Sequence, residues 1–270
     1  MPVTIKNRWS GETIATVEDT DDLREAVIRL VKQGVSLNDA DLYRASLDGA
    51  SLVGARLVGA SLDRASLVGA RLDRARLDGA SLDRARLDGA SLDGASLVGA
   101  SLDGASLDGA SLVGARLDGA SLVGARLDRA RLDGASLVGA RLDGASLVGA
   151  ILDSASLVPI RNDMWAVLTM APLEVPALIA ALNEGRVDGS AYEGECACLV
   201  GTIANARKCS HDAIEGLEPD SSRPAECFFM GIKKGDTPET NQVSKLARDW
   251  SLEWYERMQK AFGPVEAAAS

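Results

Sequence analysis

The residue types that could carry chemistry in this 270-residue chain gather near its C-terminal end. All four cysteines and the only histidine lie in one short stretch, and they are Cys196, Cys198, Cys209, His211 and Cys227. Thiolates and one imidazole could hold zinc in tetrahedral geometry. The spacing is C-x-C and then C-x-H, however, which lacks the usual C-x2–4-C arrangement. Cysteines buried as small apolar side chains in a reducing compartment are the favoured interpretation, and a zinc site is the alternative.

Two further stretches share residue types, but not spacing, with known catalytic motifs. Ser210, His211 and Asp212 are the residue types of a hydrolase triad, yet consecutive residues rarely converge on one line of proton transfer. The run Gly231–Thr237 contains glycines and lysines but lacks the G-x-x-x-x-G-K-[ST] order of a phosphate loop. We therefore predict that the chain is not an enzyme and that it uses no cofactor.

A repeat of five residues dominates the rest of the sequence. An alanine stands at every fifth position from Ala40 to Ala155, and a leucine follows two residues after each alanine. These 24 units end at Pro159, and Val35–Asp39 reads as a degenerate unit before them. We number the positions of a unit 1 to 5, with alanine at position 1 and leucine at position 3. A fixed period of this kind predicts a solenoid, in which each unit buries its apolar side against its neighbours.

The period also predicts where the chain turns. Five residues match neither a helix nor a straight strand, so the leucines share one environment only if the chain turns a corner in every unit. Glycine fills 17 of the 23 closing positions between residues 44 and 154, which suits a corner with unusual dihedral angles. The exceptions are Arg44, Arg64, Arg74, Arg84, Arg129 and Ser154. Because arginine tolerates positive φ poorly, we expect these corners to avoid the left-handed region.

The run is similar to the pentapeptide repeat family, whose pattern A(D/N)LXX is most faithful at Ala40–Arg44. The resemblance implies a right-handed quadrilateral β-helix with four units to a coil. The four-sided cross-section follows from the resemblance alone, because the variable positions show no 20-residue period of their own. Position 2 holds 14 serines and 8 arginines among 24 units, and position 4 holds 14 aspartates and 9 valines.

The fold class predicted for the whole chain is therefore mainly a β solenoid, at residues 35–159, between two other regions. Residues 1–34 read as a small α/β cap, with a hairpin of Val3–Arg8 and Glu12–Val17 and a helix that starts after Asp21 or Asp22. A cap of this kind would cover the unpaired backbone of the first coil.

Residues 160–270 read as a small, mostly helical domain. Its predicted helices are Asp163–Met170, Leu173–Asn183, Cys196–Arg207, Pro224–Ile232 and Pro238–Phe262. In the last of these, one stripe is expected to be buried, and it consists of Val243, Leu246, Trp250, Trp254 and Met258. The region resembles the C-terminal part of some phage-encoded repeat proteins, most distinctively at Tyr192–Cys198, and this resemblance implies no established activity.

Charge and hydropathy limit the partners. The net charge is −10, yet residues 40–159 carry 13 basic and 15 acidic groups, so most of the acidity lies elsewhere. A basic footprint for nucleic acid is missing, and no apolar run approaches the ~20 residues that span a bilayer. We expect no nucleic-acid partner, no membrane contact and, without an N-terminal signal, a cytoplasmic location.

Three functions compete at this point. The first is a rigid, non-enzymatic scaffold or protein-interaction module of phage or prophage association, with an unknown protein partner and possible homo-oligomers through a terminal domain. The second is a DNA mimic that acts on a type II topoisomerase, as some members of the family do. The third is an uncharacterised activity of residues 160–270.

The outward positions bear on the first two functions. With four units to a coil, one candidate interaction face consists of Val58, Asp78, Val98, Asp118, Val138 and Val158, although valine also simply suits extended backbone. The most acidic column is Asp48, Val68, Asp88, Asp108, Asp128 and Val148. It lies beside Arg64, Arg86, Arg126 and Arg129, which should cancel most of its field. We therefore expect no inhibition of gyrase.

Overall fold

The computed structural model describes residues 2–152, 155–191, 197–210, 217, 220 and 223–263. Within it, the chain divides into two compact units, Met1–Pro159 and Ile160–Ser270. The further separation of a cap at residues 1–34 from the repeat stays a prediction.

The N-terminal residues form a hairpin and a helix. Strands β1 (Val3–Lys6) and β2 (Thr13–Val17) pair antiparallel, and the side chain of Asn7 accepts hydrogen bonds from two backbone N–H groups in the turn between them. Helix α1 (Leu23–Lys32) begins at the N-cap Asp22, whose carboxylate accepts from a backbone N–H of the first turn.

The hairpin continues directly onto the first coil. The amide of Arg8 donates to the carbonyl of Asp39 at 2.8 Å, and the amide of Asp41 donates to the carbonyl of Lys6 at 2.8 Å. Backbone groups of the first coil are thus paired instead of exposed, which is the role expected of a cap.

Each coil of the repeat contains four units. Residues at position 2 form parallel bridges with the position-2 residues one coil later in the chain, as Ser61 does with Ser81 and Ser81 with Ser101. The amide of Leu62 donates to the carbonyl of Ser81 at 2.7 Å, and the amide of Ser81 donates to the carbonyl of Ala60 at 2.9 Å. The coils are held by one isolated bridge per unit instead of extended strands, because the chain turns again within each unit.

A tight turn closes each unit. The amide of each alanine donates to the carbonyl of the leucine three residues before it, as from Ala85 to Leu82 at 3.0 Å. Of the two residues between them, only the second has positive φ, which is the pattern of a type II turn and favours glycine there. The alanines and leucines point inward, and no repeat leucine between Leu42 and Leu152 is more than 3% exposed.

The expectation for the arginine corners was wrong. Five of them have φ between 55° and 58°, close to the 62–69° of the glycine corners, and they are Arg44, Arg64, Arg74, Arg84 and Arg129. Ser154 lies outside the described residues. The hydrogen bonds to the coils on both sides dictate the turn, so arginine adopts the left-handed region there at a cost on the order of 1 kcal/mol each.

The second unit is helical. Its helices are α2 (Val158–Met170, whose first two residues belong to the first unit), α3 (Val175–Asn183, preceded by a 3-10 turn at Pro172–Glu174), α4 (Leu199–Arg207), α5 (Pro224–Phe229) and α6 (Gln242–Phe262). The main differences from the predicted bounds are at the starts of α2, α4 and α6. Pro159 lies in the first turn of α2, where a backbone N–H would have no acceptor within the helix. The amide hydrogen that proline lacks is therefore not needed there, and Pro159 is compatible with the start of this helix.

The buried face of α6 differs from the predicted stripe. Val243 and Trp254 are buried, but the residues between them on this face are Ser244, Ala247 and Ser251. Helix α6 packs against α3 and α5. Trp250 lies half-buried, with its ring stacked on Phe228 at a centroid distance of 5.2 Å.

Among the described residues, we find no single helix that is long and apolar enough to cross a membrane. The segments Val158–Met170 and Pro172–Asn183 pass that test only as a pair, and the pair is bent by 102°.

Replacement of Leu97 by aspartate tests the inward packing. Leu97 is 0% exposed, so the carboxylate would lie unpaired in a dry core, and the free energy of unfolding should fall by about 4 kcal/mol or more. The matched control is Val138→Asp, which adds the same charge at a position that is 50% exposed and has Ser156 at position 2 of the unit one coil later, and should change stability by less than about 1 kcal/mol. Urea unfolding of both variants measures this, and equal losses would contradict the packing.

Candidate functional site

Of the three cysteines that the structure describes, Cys198 and Cys227 are buried, and Cys209 is partly exposed. Cys198 is 1% exposed and caps α4, where its Sγ accepts from the amide of Gly201 at 3.5 Å. Burial raises the pKa of this thiol to about 12, which disfavours a role as nucleophile. Cys196 and His211 lie outside the described residues. Within the described part of the chain, no group of three or more His, Cys, Asp or Glu side chains could hold a metal ion.

A buried carboxyl group lies beside this thiol. Glu226 on α5 is 3% exposed, and its Oε1 accepts from the amide of Val200 at 3.3 Å. Burial raises the pKa of Glu226. The thiol of Cys198 and the carboxyl group of Glu226 thus form an internal contact between the start of α4 and α5, and burial raises the pKa of both groups.

The other two candidate motifs do not form a site. His211 and Asp212 lie outside the described residues, and Ser210 is exposed. In the run 231–237, the carboxylate of Asp236 accepts from the amide of Lys233 and from the side chain of Asn241, both at 2.8 Å. This carboxylate takes the place that an anion would need, so the run is a surface turn.

The outer faces of the coils contain a regular contact. It explains why position 2 and position 4 each use mainly two residue types. An aspartate at position 4 accepts the hydroxyl of a position-2 serine in the next coil, as Asp48 does from Ser66 at 2.5 Å. The same oxygen accepts from the backbone amide of the residue above, Val68, at 3.0 Å. Six of the aspartates that bind a serine therefore tie their coil to the next one through both a side-chain and a main-chain donor.

The sequence contains this pairing as a pattern. There are 12 position-4 aspartates from Asp48 to Asp133. Ten of them are followed by a serine at the same separation along the sequence, or offset, as that between Asp48 and Ser66. Of the seven valines between Val53 and Val138, six have arginine at that offset instead. The preference disappears when the offset is shortened by one or two units, or lengthened by one. The length of a coil could thus have been inferred from the sequence without the family resemblance, although single columns do not show it.

One exception shows what the pairing avoids. Asp108 has Arg126 above it instead of serine, and the two form an ion pair through Oδ2. Its Oδ1 is buried and has no hydrogen-bond partner within the described residues. A buried acceptor without a donor costs ~1–3 kcal/mol, so serine above aspartate is the more stable combination.

Arginines on the sides of the coils neutralise the aspartates. Position-2 arginines lie 3.3–3.8 Å from the aspartate two residues later in six units, as Arg116 does from Asp118 at 3.5 Å. The arginine side chains are 56–66% exposed, so each pair stabilises the fold little. Their effect is electrostatic, because they place positive charge beside six of the aspartates. Asp63, Asp83 and Asp103 follow one another in one column and form no ion pair with a described residue.

The predicted valine face exists in part. Val58, Val98 and Val138 occupy one column with Asp78 and Asp118, whose carboxylates bind Ser96 and Ser136. Val138 is 50% exposed, and the other two valines are half-buried. Val158 is instead the first residue of α2, because Pro159 starts that helix. Whether this column binds a partner stays a prediction.

Replacement of Arg126 by serine should stabilise the protein. The new hydroxyl would give Asp108 Oδ1 the donor it lacks, and only one exposed ion pair is lost, so we expect a gain of about 1 kcal/mol. The reverse change, Ser121→Arg, removes the hydroxyl bound to Asp103 and should cost a similar amount. Thermal and urea unfolding measure both, and the same sign for the two variants would contradict the pairing.

The raised pKa of Glu226 predicts a pH dependence. The folded protein retains a proton that the unfolded chain releases near pH 4.5, so this contribution is present below that pH and is lost as pH rises through the raised pKa. Glu226→Gln cannot ionise and keeps an acceptor for Val200. The free energy of unfolding of this variant, relative to that of the native protein, should therefore be higher at about pH 7 than at about pH 4. Urea unfolding at both pH values, with exposed Glu256→Gln as control, tests this, and an equal effect at both would be contrary evidence.

The family model for pentapeptide repeats matches the chain in eight copies, at residues 33–64, 40–84, 55–94, 85–124 and 120–158. No curated protein matches the chain.

Several solved structures are similar to the repeat. A pentapeptide repeat protein from the cyanobacterium Cyanothece 51142 is 37% identical, with a TM-score of 0.34, over 34% of this chain and 63% of its own length. One from the thylakoid lumen of Arabidopsis thaliana is 32% identical, with a TM-score of 0.37, over 40% and 73%. QnrB1, a plasmid-mediated fluoroquinolone resistance protein, is 21% identical, with a TM-score of 0.26, over 43% and 65%. On the family model and the unbroken repeat, the chain belongs, through residues 33–158, to the family of pentapeptide repeat proteins.

Proposed function

We propose that residues 35–159 form the right-handed, four-sided β-helix of this family and act as a rigid, non-enzymatic scaffold for a protein partner. The observation that carries the proposal is the uniform stacking of the coils, in which every unit from Leu42 to Leu132 repeats the same main-chain bonds to the next coil. A backbone bonded on both sides and filled with leucine and alanine has little freedom to deform.

The chemistry of the outer faces supports a binding role over catalysis. The carboxylates there accept from serine hydroxyls and backbone amides or pair with arginines, so they are already occupied. A scaffold that presents a flat surface needs no group with an activated proton. Phage or prophage association and a cytoplasmic location fit this proposal and stay predictions, as does a homo-oligomer.

A DNA mimic would need an uninterrupted row of carboxylates. In the column from Asp48 to Val148, Arg86 lies 3.8 Å from Asp88 and Arg126 pairs with Asp108. These contacts cancel charge in that column. The unpaired row of Asp63, Asp83 and Asp103 is only three coils long and lies beside the corner arginines Arg64 and Arg84, so the scaffold is the better supported function. A gyrase supercoiling assay with and without added salt distinguishes the two functions.

A cross-linking experiment tests the scaffold and its valine column together. A photo-reactive residue at Val98 or Val138 should join the full chain to one protein in cells of its native host, whereas the same residue at Val113, on another side, should not. Substitution of Asp78 by arginine, within the column, should reduce that yield. Equal cross-linking at all three positions, or none at any, would contradict the proposal.

A further inference from the structure

The arginines of the repeat fall into two groups with different surroundings. Seven of the eight at position 2 pair with aspartate, and the eighth, Arg56, donates to the carbonyl of Gly34. The five corner arginines at position 5 form no ion pair with any described residue. Arg44 contacts only a ring, that of Tyr43, at 4.9 Å. The corner guanidinium groups are thus available to an external anion.

Three of these five stand directly above one another. Arg44, Arg64 and Arg84 occupy the same corner of three successive coils, which are ~4.8 Å apart. All three are exposed. Each adopts a left-handed backbone that glycine adopts without strain, and each repels its neighbour. The backbone strain and the charge repulsion are two independent energetic costs at this corner, whereas 17 other corners of the repeat use glycine. These costs point to a function that requires the positive charges.

The side chains define a narrow ridge. The stem of Arg84 runs toward the following coil, with its Cγ 3.5 Å from the place where a Cβ of Gly104 would be. On one flank lie Asp63 and Asp83, whose Oδ1 atoms bind Ser81 and Ser101. On the other flank, Arg86 pairs with Asp88. The guanidinium groups without an ion pair therefore form a strip one side chain wide and three coils long, with the carboxylates of Asp63 and Asp83 on one flank.

We propose that this arginine ridge binds a linear polyphosphate chain. Guanidinium groups bind phosphate oxygens in a bidentate manner. A phosphoanhydride chain presents oxygens continuously, so it needs no close match to the spacing of the coils. Carboxylates on one face of an extended peptide recur every ~6.6–6.8 Å, which would fall out of register with the ridge. A nucleic acid would bring bases toward the flanking aspartates and would find no aromatic platform beyond Tyr43, which Arg44 already covers.

The test uses glycine, because glycine fits these corners without strain. The full chain should bind tripolyphosphate more tightly than orthophosphate in calorimetric titration at low salt, and added salt should weaken the binding. The variant Arg44→Gly/Arg64→Gly/Arg84→Gly should bind at least about tenfold more weakly while unfolding no earlier than the native protein. The control Arg74→Gly/Arg129→Gly removes two isolated corner arginines and should keep the native affinity.

Four results would overturn the proposal. The full chain could fail to bind tripolyphosphate, or bind orthophosphate equally well. The ridge variant and the control could lose the same affinity, which would mean general attraction to positive charge. A single-stranded oligonucleotide could bind more tightly than tripolyphosphate, which would assign the ridge to nucleic acid.

Discussion

The stack of main-chain hydrogen bonds between coils is the constraint on which the repeat depends. Each leucine amide reaches the carbonyl of a position-2 residue in the next coil, as Leu62 does that of Ser81, so the chain must return to the same side after four units. The return forces a corner in every unit and places alanine and leucine inside. These hydrogen bonds hold five arginines in the left-handed region. The sequence alone predicts that arginine avoids that region.

Much of the repeat could be predicted from the sequence, because one period sets every unit. The inward leucines, the corners and the cap helix after Asp22 follow from local rules. The length of a coil required a resemblance, although the pairing of each aspartate with a serine of the next coil contained it. The buried face of α6 was harder to predict, because Ser244 and Ser251 are polar by type and are buried only in the packed structure.

The cysteines near the C-terminal end show that residue types alone do not identify a functional site. Cys198 could have been read as a ligand, but it caps α4, and burial raises the pKa of its thiol. The outer faces of the coils carry the more specific information. There, position-4 aspartates bind serines of the next coil, and position-4 valines have arginine at the same offset in the sequence. The corner arginines belong to neither pattern.

The central claim is that these pairs couple successive coils, and a double-mutant cycle on Asp83 and Ser101 tests it most directly. The aspartate accepts from the Ser101 hydroxyl and from the amide of Asp103 at 3.1 Å. Asp83→Val or Ser101→Arg alone should destabilise the protein, whereas the double variant recreates the valine–arginine pair and should recover about 1 kcal/mol or more of the summed loss. Strict additivity of the two changes in unfolding free energy would contradict the account.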